Sequence, residues 1–515
     1  MTRLSILCVL AALVLAAIPA GAQVHHSTSP DLPALERYIA TAVSGWDVPG
    51  LAIAIVKDDS VVMARGFGVR EIGKPDTVDA HTLFAIASLS KAFTVASLGR
   101  MVEQGKLRWN DKVTDYVPSF QMYDPYVTRE MTVRDLLTHR SGLNTFGGDL
   151  IWYGTDYSRA EVIRRIRYLK PRYSFRANYG YQNIMFLTAG EVLRAVSGVS
   201  WDDYVRDSLF APLGMRESNT SVRDLAGRPD VATPHTKWHG QTVTIPYRNV
   251  DNIGAAAAIN ASVHDLAQWI RMWLRPESAP GPRILNDATK FEIFSPQTIL
   301  PISQRGTQLI PSRHFSAAGM GWFMNDYLGR KVLNHSGGMD GMISRVILVP
   351  EEHLGFVMLT NSINGVTTPL MYRILDDYLG GADRDWSGEQ LSMSASGDSA
   401  AAAAQKKEEA ARVKNTKPSL PLLSYTGTYR SQMYGDVIVD MEKGALIIRF
   451  VPTASYVGDL THWQYDTFRV ELRDKTLPPG KVTFVLDANG KPSELKVVIP
   501  NPDFDFSELE LKRVD

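Results

Sequence analysis

Apolar positions along the chain follow two rhythms, and the changes between them mark out its elements. Leu32 to Val43 places apolar side chains at helical spacing, the pattern of a helix with one buried face. The stretch GLAIAIVKDDSVVMARGFG then reads as two apolar strands around a turn at Lys57-Asp58-Asp59-Ser60. Helical spacing returns from Leu89 to Glu103, closed by Gly105, and again in VRDLLTH, LTAGEVLRAVSG and VHDLAQWIRMWL. SRVILVPEEHLGFVMLTNS is a second hairpin. Strands at both ends with helices between predict an α+β or α/β unit: one antiparallel sheet flanked by helices, its terminal segments brought together, with a helical lobe inserted.

The pattern breaks after this region. Ser387 to Pro418 is polar and Ala-rich without an aromatic residue, which predicts a linker or an exposed helical spacer. Beyond it, DVIVDMEKGALIIRF, FRVEL and KVTFVLDANGKPSELKVVIP alternate with a period of two around turns at Lys443-Gly444 and Asn489-Gly490. The expected organisation is a large domain over 30–382, a linker over 383–418, and a small all-β domain, a barrel or sandwich, over 419–515. Its aromatic residues Tyr425, Tyr429, Trp463, Tyr465 and Phe468 are expected to pack its core rather than line a ligand cavity.

Composition narrows the chemistry. The chain opens with Arg3, an apolar run, and Ala20-Gly21-Ala22, the form of a secretory signal peptide spanning 1–22. Export to a periplasm or the medium follows, with no membrane span left after cleavage. The single cysteine, Cys8, falls inside that leader, so thiol and disulfide chemistry are excluded from the mature chain. Basic and acidic residues number 55 each, and removing Arg3 leaves 54 against 55, a net −1. Nothing in that balance calls for nucleic acid or an anionic membrane. The expected partner is a small-molecule or peptide substrate; oligomeric state stays open.

One tetrapeptide carries chemistry. Ser88-Leu89-Ser90-Lys91 heads the helical run, and residues three apart share a helix face, so Lys91 stands beside the Ser88 hydroxyl while Ser90 points elsewhere. The second Ser-x-x-Lys, Ser493 to Lys496, lies in a strand pattern that sends the two side chains to opposite faces. Two further elements follow Ser88 in order: Tyr181-Gln182-Asn183 before a helix, and His335-Ser336-Gly337 in a β-hairpin. Tyr247-Arg248-Asn249 and His353-Leu354-Gly355 repeat those spacings in loop and turn settings; the first is read as structural or at most cleft-lining, the second as structural.

FAIASLSKAFTV, VRDLLTHRSGL, NYGYQN, APLGM, MGWF and NHSGGMDGM together make Leu32 to Leu379 resemble the serine β-lactamase and penicillin-binding-protein superfamily. Within it the chain resembles the branch of class C β-lactamases, D-alanyl-D-alanine carboxypeptidases and D-aminopeptidases. The resemblance implies a β-lactamase/transpeptidase-like fold and a serine acyl-enzyme without metal or other cofactor. Ser88 would be the nucleophile, with Lys91 and Tyr181 as a proton-transfer pair in which either could be the base. Tyr181 acts as base only as phenolate, and Lys91 only with a lowered pKa. Asn183 would orient Lys91 and the substrate amide, and His335, Ser336 and Gly337 would bind substrate. The backbone N–H groups of Ser88 and Gly338 would form the oxyanion hole.

The third motif begins with histidine where typical β-lactamases have lysine. An unperturbed histidine is charged only below about pH 6.5, which weakens carboxylate capture. Hydrolysis of D-amino-acid peptides or small esters is therefore expected ahead of β-lactam hydrolysis. A non-catalytic binder of penicillin or peptidoglycan fragments is the remaining alternative. No G-x-S-x-G elbow, H-E-x-x-H or phosphate-binding glycine loop is present. The aromatic stretch Phe146 to Tyr157 is either pocket wall or connecting loop.

Overall fold

The computed structural model describes residues 30–515, so the expected leader at 1–22 lies outside the described residues. Helix α1 (Leu32–Gly45) starts where the Asp31 carboxylate accepts the Ala34 N–H, with Pro33 in its first turn. The hairpin of β1 (Gly50–Lys57) and β2 (Ser60–Gly68) follows. Six later strands complete the sheet: β3 (Thr298–Ile299), β4 (Ser316–Ala318), β5 (Phe323–Tyr327), β6 (Arg330–Met339), β7 (Met342–Val349) and β8 (Leu354–Thr360). Their order in space is β2-β1-β8-β7-β6-β5-β4-β3. β1 runs antiparallel to β8, with Leu51 opposite Thr360 and Lys57 opposite Leu354, so the two ends of the large domain do meet.

β1 does not alternate because both of its faces are covered. Ala52, Ala54 and Val56 belong to the core beneath the helical lobe, whereas Leu51, Ile53 and Ile55 pack in a second core with α1 and α6 (Thr367–Leu379). β2, equally apolar by sequence, is an edge strand with Val61 and Val62 exposed. The lobe holds α2 (Ser90–Glu103), α3 (Val133–Leu137) and α4 (Ile184–Ser197), while α5 (Val263–Leu274) packs on β1 and β8. α2 is buried along nearly its whole first half, Ser90 and Lys91 included.

The Ala-rich segment is helix α7 (Trp386–Ala410), exposed from Ser392 onward. Alanine has the highest helix propensity, so such a run stays helical without a core to pack on. Its first turn is pinned by Trp386 Nε1 donating to Asp376 Oδ2 at 2.7 Å. The C-terminal strands close into an eight-stranded barrel: β9 (Gly427–Ser431), β10 (Gly435–Glu442), β11 (Ala445–Phe450), β12 (Val457–Gln464), β13 (Thr467–Leu472), β14 (Gly480–Leu486), β15 (Pro492–Val498) and β16 (Leu511–Arg513). β16 returns to β9 with Arg513 opposite Tyr429. A barrel of this size is just wide enough to be filled by its own side chains. Tyr425, Tyr429, Trp463 and Phe468 are buried; Tyr465 departs from the expected packing and sits exposed at a turn.

The barrel is bolted to the large domain through Arg248, from the Tyr-x-Asn run read as structural or at most cleft-lining. Its guanidinium reaches Asp340 Oδ2 and Asp474 Oδ2, both at 2.8 Å, and lies over the Tyr153 ring. Tyr157 adds a bond to Tyr434 O at 2.6 Å.

Candidate active site

Ser88 lies in the short 3-10 turn Ala87–Leu89 that leads into α2. Ala87, just before it, has φ +48°, a conformation unfavourable for a residue with a β-carbon. That sharp entry turns the Ser88 side chain into a cleft, while Ser90 points into the core and accepts from Ile259 N. One turn on, Lys91 Nζ donates to Ser88 Oγ at 3.0 Å, to Asn183 Oδ1 at 2.7 Å and to Ala256 O at 3.1 Å. The lysine is fully buried, and burial pulls its pKa down to about 7 against the opposing attraction of Asp149. An amine in that range can accept a proton at neutral pH.

Tyr181 lies on the other side of the hydroxyl. Its side chain lines the cleft with Ser88, and its ring sits 4.8 Å from Lys91 Nζ, within reach of a cation–π contact. Burial holds its pKa well above the usual phenol value, so the phenolate form is disfavoured. Asn183 stands at the residue before α4 without capping it, both ends of its amide engaged elsewhere: Oδ1 accepts from Lys91, and Nδ2 donates to Asp149 Oδ2 at 2.6 Å. Its Oδ1 bond holds the lysine beside Ser88, and one of the two N–H donors on Nδ2 goes to Asp149, on the wall of the cleft that Asn183 lines.

His335, Ser336, Gly337 and Gly338 run along β6 past the serine. His335 Nδ1 faces Ser336 O at 2.7 Å; a carbonyl only accepts, so Nδ1 carries the proton and Nε2 is a bare acceptor without a partner. Burial and the neighbouring Lys91 push its pKa down to about 3, so the ring is neutral throughout the working range. Gly337 is where strand and nucleophile touch: a β-carbon there would stand 2.3 Å from Ile86 O and 3.0 Å from Ser88 N. The same point at Gly338 meets only Ile343 Cδ1, at 3.5 Å. Ser336 is paired in register with Arg345 on β7, so their side chains share a face. The Arg345 guanidinium donates to the hydroxyls of Thr367 and Thr368 at 3.2 and 3.1 Å and lines the cleft.

Sequence reasoning missed His139, Asp149 and Arg345. His139 stacks on Tyr181 with centroids 4.3 Å apart and accepts the Gln182 N–H at Nδ1. Asp149 takes Trp152 Nε1 at 2.8 Å beside its bond from Asn183, and burial lifts its pKa to about 7. Both residues lie inside stretches singled out for other reasons, VRDLLTHRSGL and Phe146 to Tyr157. An acid in an aromatic segment, one of two there with Asp156, was the signal for Asp149. The cleft encloses about 740 Å³. Ser88, Tyr181 and His335 line it together with Tyr153 from the aromatic loop, which is thus pocket wall, and Leu477 and Phe504 from the barrel. The described residues also include His81, Glu217 and His264, whose ligand atoms lie within 4.8 Å of one another; none lines the cleft.

The Beta-lactamase family profile matches residues 35–375, most of the chain. The chain belongs to the Beta-lactamase family. Members of this family are serine hydrolases. Residues 411–513 match a second profile, a domain of unknown function, DUF3471, which covers the barrel. Unguisins hydrolase ungD of Aspergillus violaceofuscus is 28% identical over 446 residues, 80% of this chain and 77% of that protein. Protein flp of Staphylococcus aureus is 25% identical over 61% of this chain and 60% of its own length. Among solved structures, the octameric penicillin-binding protein homologue from Pyrococcus abyssi aligns over 92% of this chain and 99% of its own, with a TM-score of 0.60 and 22% identity. A D-stereospecific amidohydrolase from Streptomyces sp. aligns over 68% of this chain and all of its own, with a TM-score of 0.55 and 20% identity. These two establish the shared fold.

Proposed function

We propose that this Beta-lactamase family member is an exported serine hydrolase that cleaves amide or ester bonds through a Ser88 acyl-enzyme. D-amino-acid peptides and small esters are its substrate class ahead of β-lactams. The observation that carries the reading is the 3.0 Å contact between Ser88 Oγ and a buried Lys91 whose pKa lies near neutrality. In its neutral form Lys91 takes the Ser88 proton as Oγ attacks the acyl carbon, and Asn183 and Ala256 O hold the ammonium that forms. Tyr181, kept as a phenol, gives its proton to the leaving group and takes one back from the Lys91 ammonium, so that the phenol and the amine are both restored. The backbone N–H groups of Ser88 and Gly338 receive the developing oxyanion, and water then releases the acyl group.

Neutral His335 supports the substrate ranking, because it offers an acceptor and no charge. A cation open to a carboxylate in the cleft is Arg345, charged at every working pH and preset by its two threonine partners, whereas Lys237, which also lines the cleft, is paired with Asp47. The name of the relative from Aspergillus violaceofuscus, a hydrolase, agrees with hydrolytic chemistry.

Intact-protein mass spectrometry after brief exposure to a fluorescent penicillin, with p-nitrophenyl acetate turnover alongside, tests the proposal. Wild type is expected to gain the adduct or turn over the ester, and folded Ser88→Ala to do neither. Equal behaviour of the two proteins would remove Ser88 from the mechanism. A stable adduct without turnover of any ester or peptide would leave a binding protein instead.

A further inference from the structure

The barrel carries a carboxylate that reaches the proton-transfer machinery. Glu508 sits in the 3-10 turn Phe506–Leu509, between the last two barrel strands, and its Oε2 accepts the Gly148 N–H at 2.9 Å. Gly148 has φ +82°, a left-handed conformation that glycine adopts readily, and it directly precedes Asp149. A β-carbon at Gly147 would lie 3.4 Å from Glu508 Oε1, so the carboxylate rests against both glycines of this turn. From there the contacts are continuous. Asp149 Oδ2 accepts from Asn183 Nδ2 at 2.6 Å, and Asn183 Oδ1 accepts from Lys91 Nζ at 2.7 Å, beside Ser88.

We infer that Glu508 is a positioning residue for the Ser88–Lys91 site, holding the Gly147-Gly148 turn so that Asp149 and Asn183 set the placement and charge of Lys91. The domain of unknown function would on this account be a working part of the hydrolase. The inference rests on the acyl-enzyme reading above. Positioning alone follows from the backbone bond, since Asp149 can meet Asn183 only if its turn stays in place. Charge enters because Glu508 and Asp149 repel one another across a buried turn: burial lifts Glu508 to about 7, and Glu508 in turn raises Asp149. The titratable groups facing this chain of contacts are Asp505 on the same barrel turn, Asp149 in the loop and Lys91 on α2, with Tyr181, His139 and His335 around Lys91.

Two full-length variants separate position from charge. Glu508→Gln keeps an oxygen for Gly148 N–H and removes the charge. Asp149 then ionises at lower pH and holds Lys91 protonated to higher pH, so the acid limb of p-nitrophenyl acetate turnover moves upward with the plateau rate little changed. Glu508→Ala removes the bond; the turn loosens, with faster hydrogen exchange confined to the peptide around 144–153 and turnover lowered about 10- to 100-fold. A pH profile for Glu508→Gln that superimposes on wild type, together with unchanged exchange and turnover in Glu508→Ala, would overturn the inference. Wild type that neither turns over ester nor takes label at Ser88 would instead sink the acyl-enzyme reading. Exchange in the Glu508→Ala turn still reports on the contact in that case, and no increase there would overturn it.

Discussion

Lys91 sets the pH behaviour of the site. Its base form accumulates only as pH rises through about 7, so turnover is expected to climb across that point and level off above it. A steady-state pH profile of p-nitrophenyl acetate hydrolysis checks this, and a profile flat from pH 5 to 9 would exclude Lys91 as the base. His335, at about 3, adds no limb in that range. Arg345 bears on binding rather than chemistry: Arg345→Gln is expected to raise KM about 10- to 100-fold for substrates with a free carboxylate, in line with the loss of a charged hydrogen bond. The KM for p-nitrophenyl acetate, which has no such group, would stay as it was. Ser88, Lys91, Tyr181 and the His335 stretch were legible because their spacing and order are local text. Asp149 and Arg345 were not, because an acid in a loop and an arginine in a strand look ordinary until the fold turns them toward the same cleft.

Among the elements, the contact between β6 and the turn ahead of α2 leaves no room for a side chain beside the nucleophile. Gly337→Ala would drive a methyl group into Ile86 O and against Ser88 N, displacing either the strand or the serine. Acylation by a fluorescent penicillin is expected to slow about 100-fold, the scale of losing an oxyanion donor, while the far-ultraviolet circular dichroism is retained. A variant acylated at the wild-type rate would show that the strand can shift without cost. Period-2 and period-3.6 patterns located nearly every element on which the site is built, VHDLAQWIRMWL to the residue. They placed β2 as a strand as well, but could not tell that it lies at the edge of the sheet while β1, equally apolar, lies inside it. Apolar content reports that a strand is extended; only the pairing order decides which faces are covered.

For the molecule as a whole, the large domain and the barrel share one cleft, and Arg248 between Asp340 and Asp474 is one of the polar links that join them, beside Tyr157 and Glu508. All three side chains are nearly buried, so Arg248→Met would strand two carboxylates, a loss of about 3–5 kcal/mol for a broken buried pair. Differential scanning calorimetry is expected to show a lowered or split transition, with proteolysis between 410 and 420 accelerated; a melting temperature equal to wild type would mean that the joint is apolar in origin. The domain of unknown function could be recognised as β structure from its alternations, but its place at the cleft could not, because Leu477, Phe504 and Glu508 meet the large domain only through three-dimensional closure. The pairing of β1 with β8 has a consequence for the making of the protein. Leu51 leaves the ribosome long before its partner Thr360, and translation of the intervening roughly 300 residues takes tens of seconds. For that time the nascent chain carries GLAIAIV without its central neighbour, which leaves this hairpin open to chaperones and aggregation while the lobe behind it is still being synthesised.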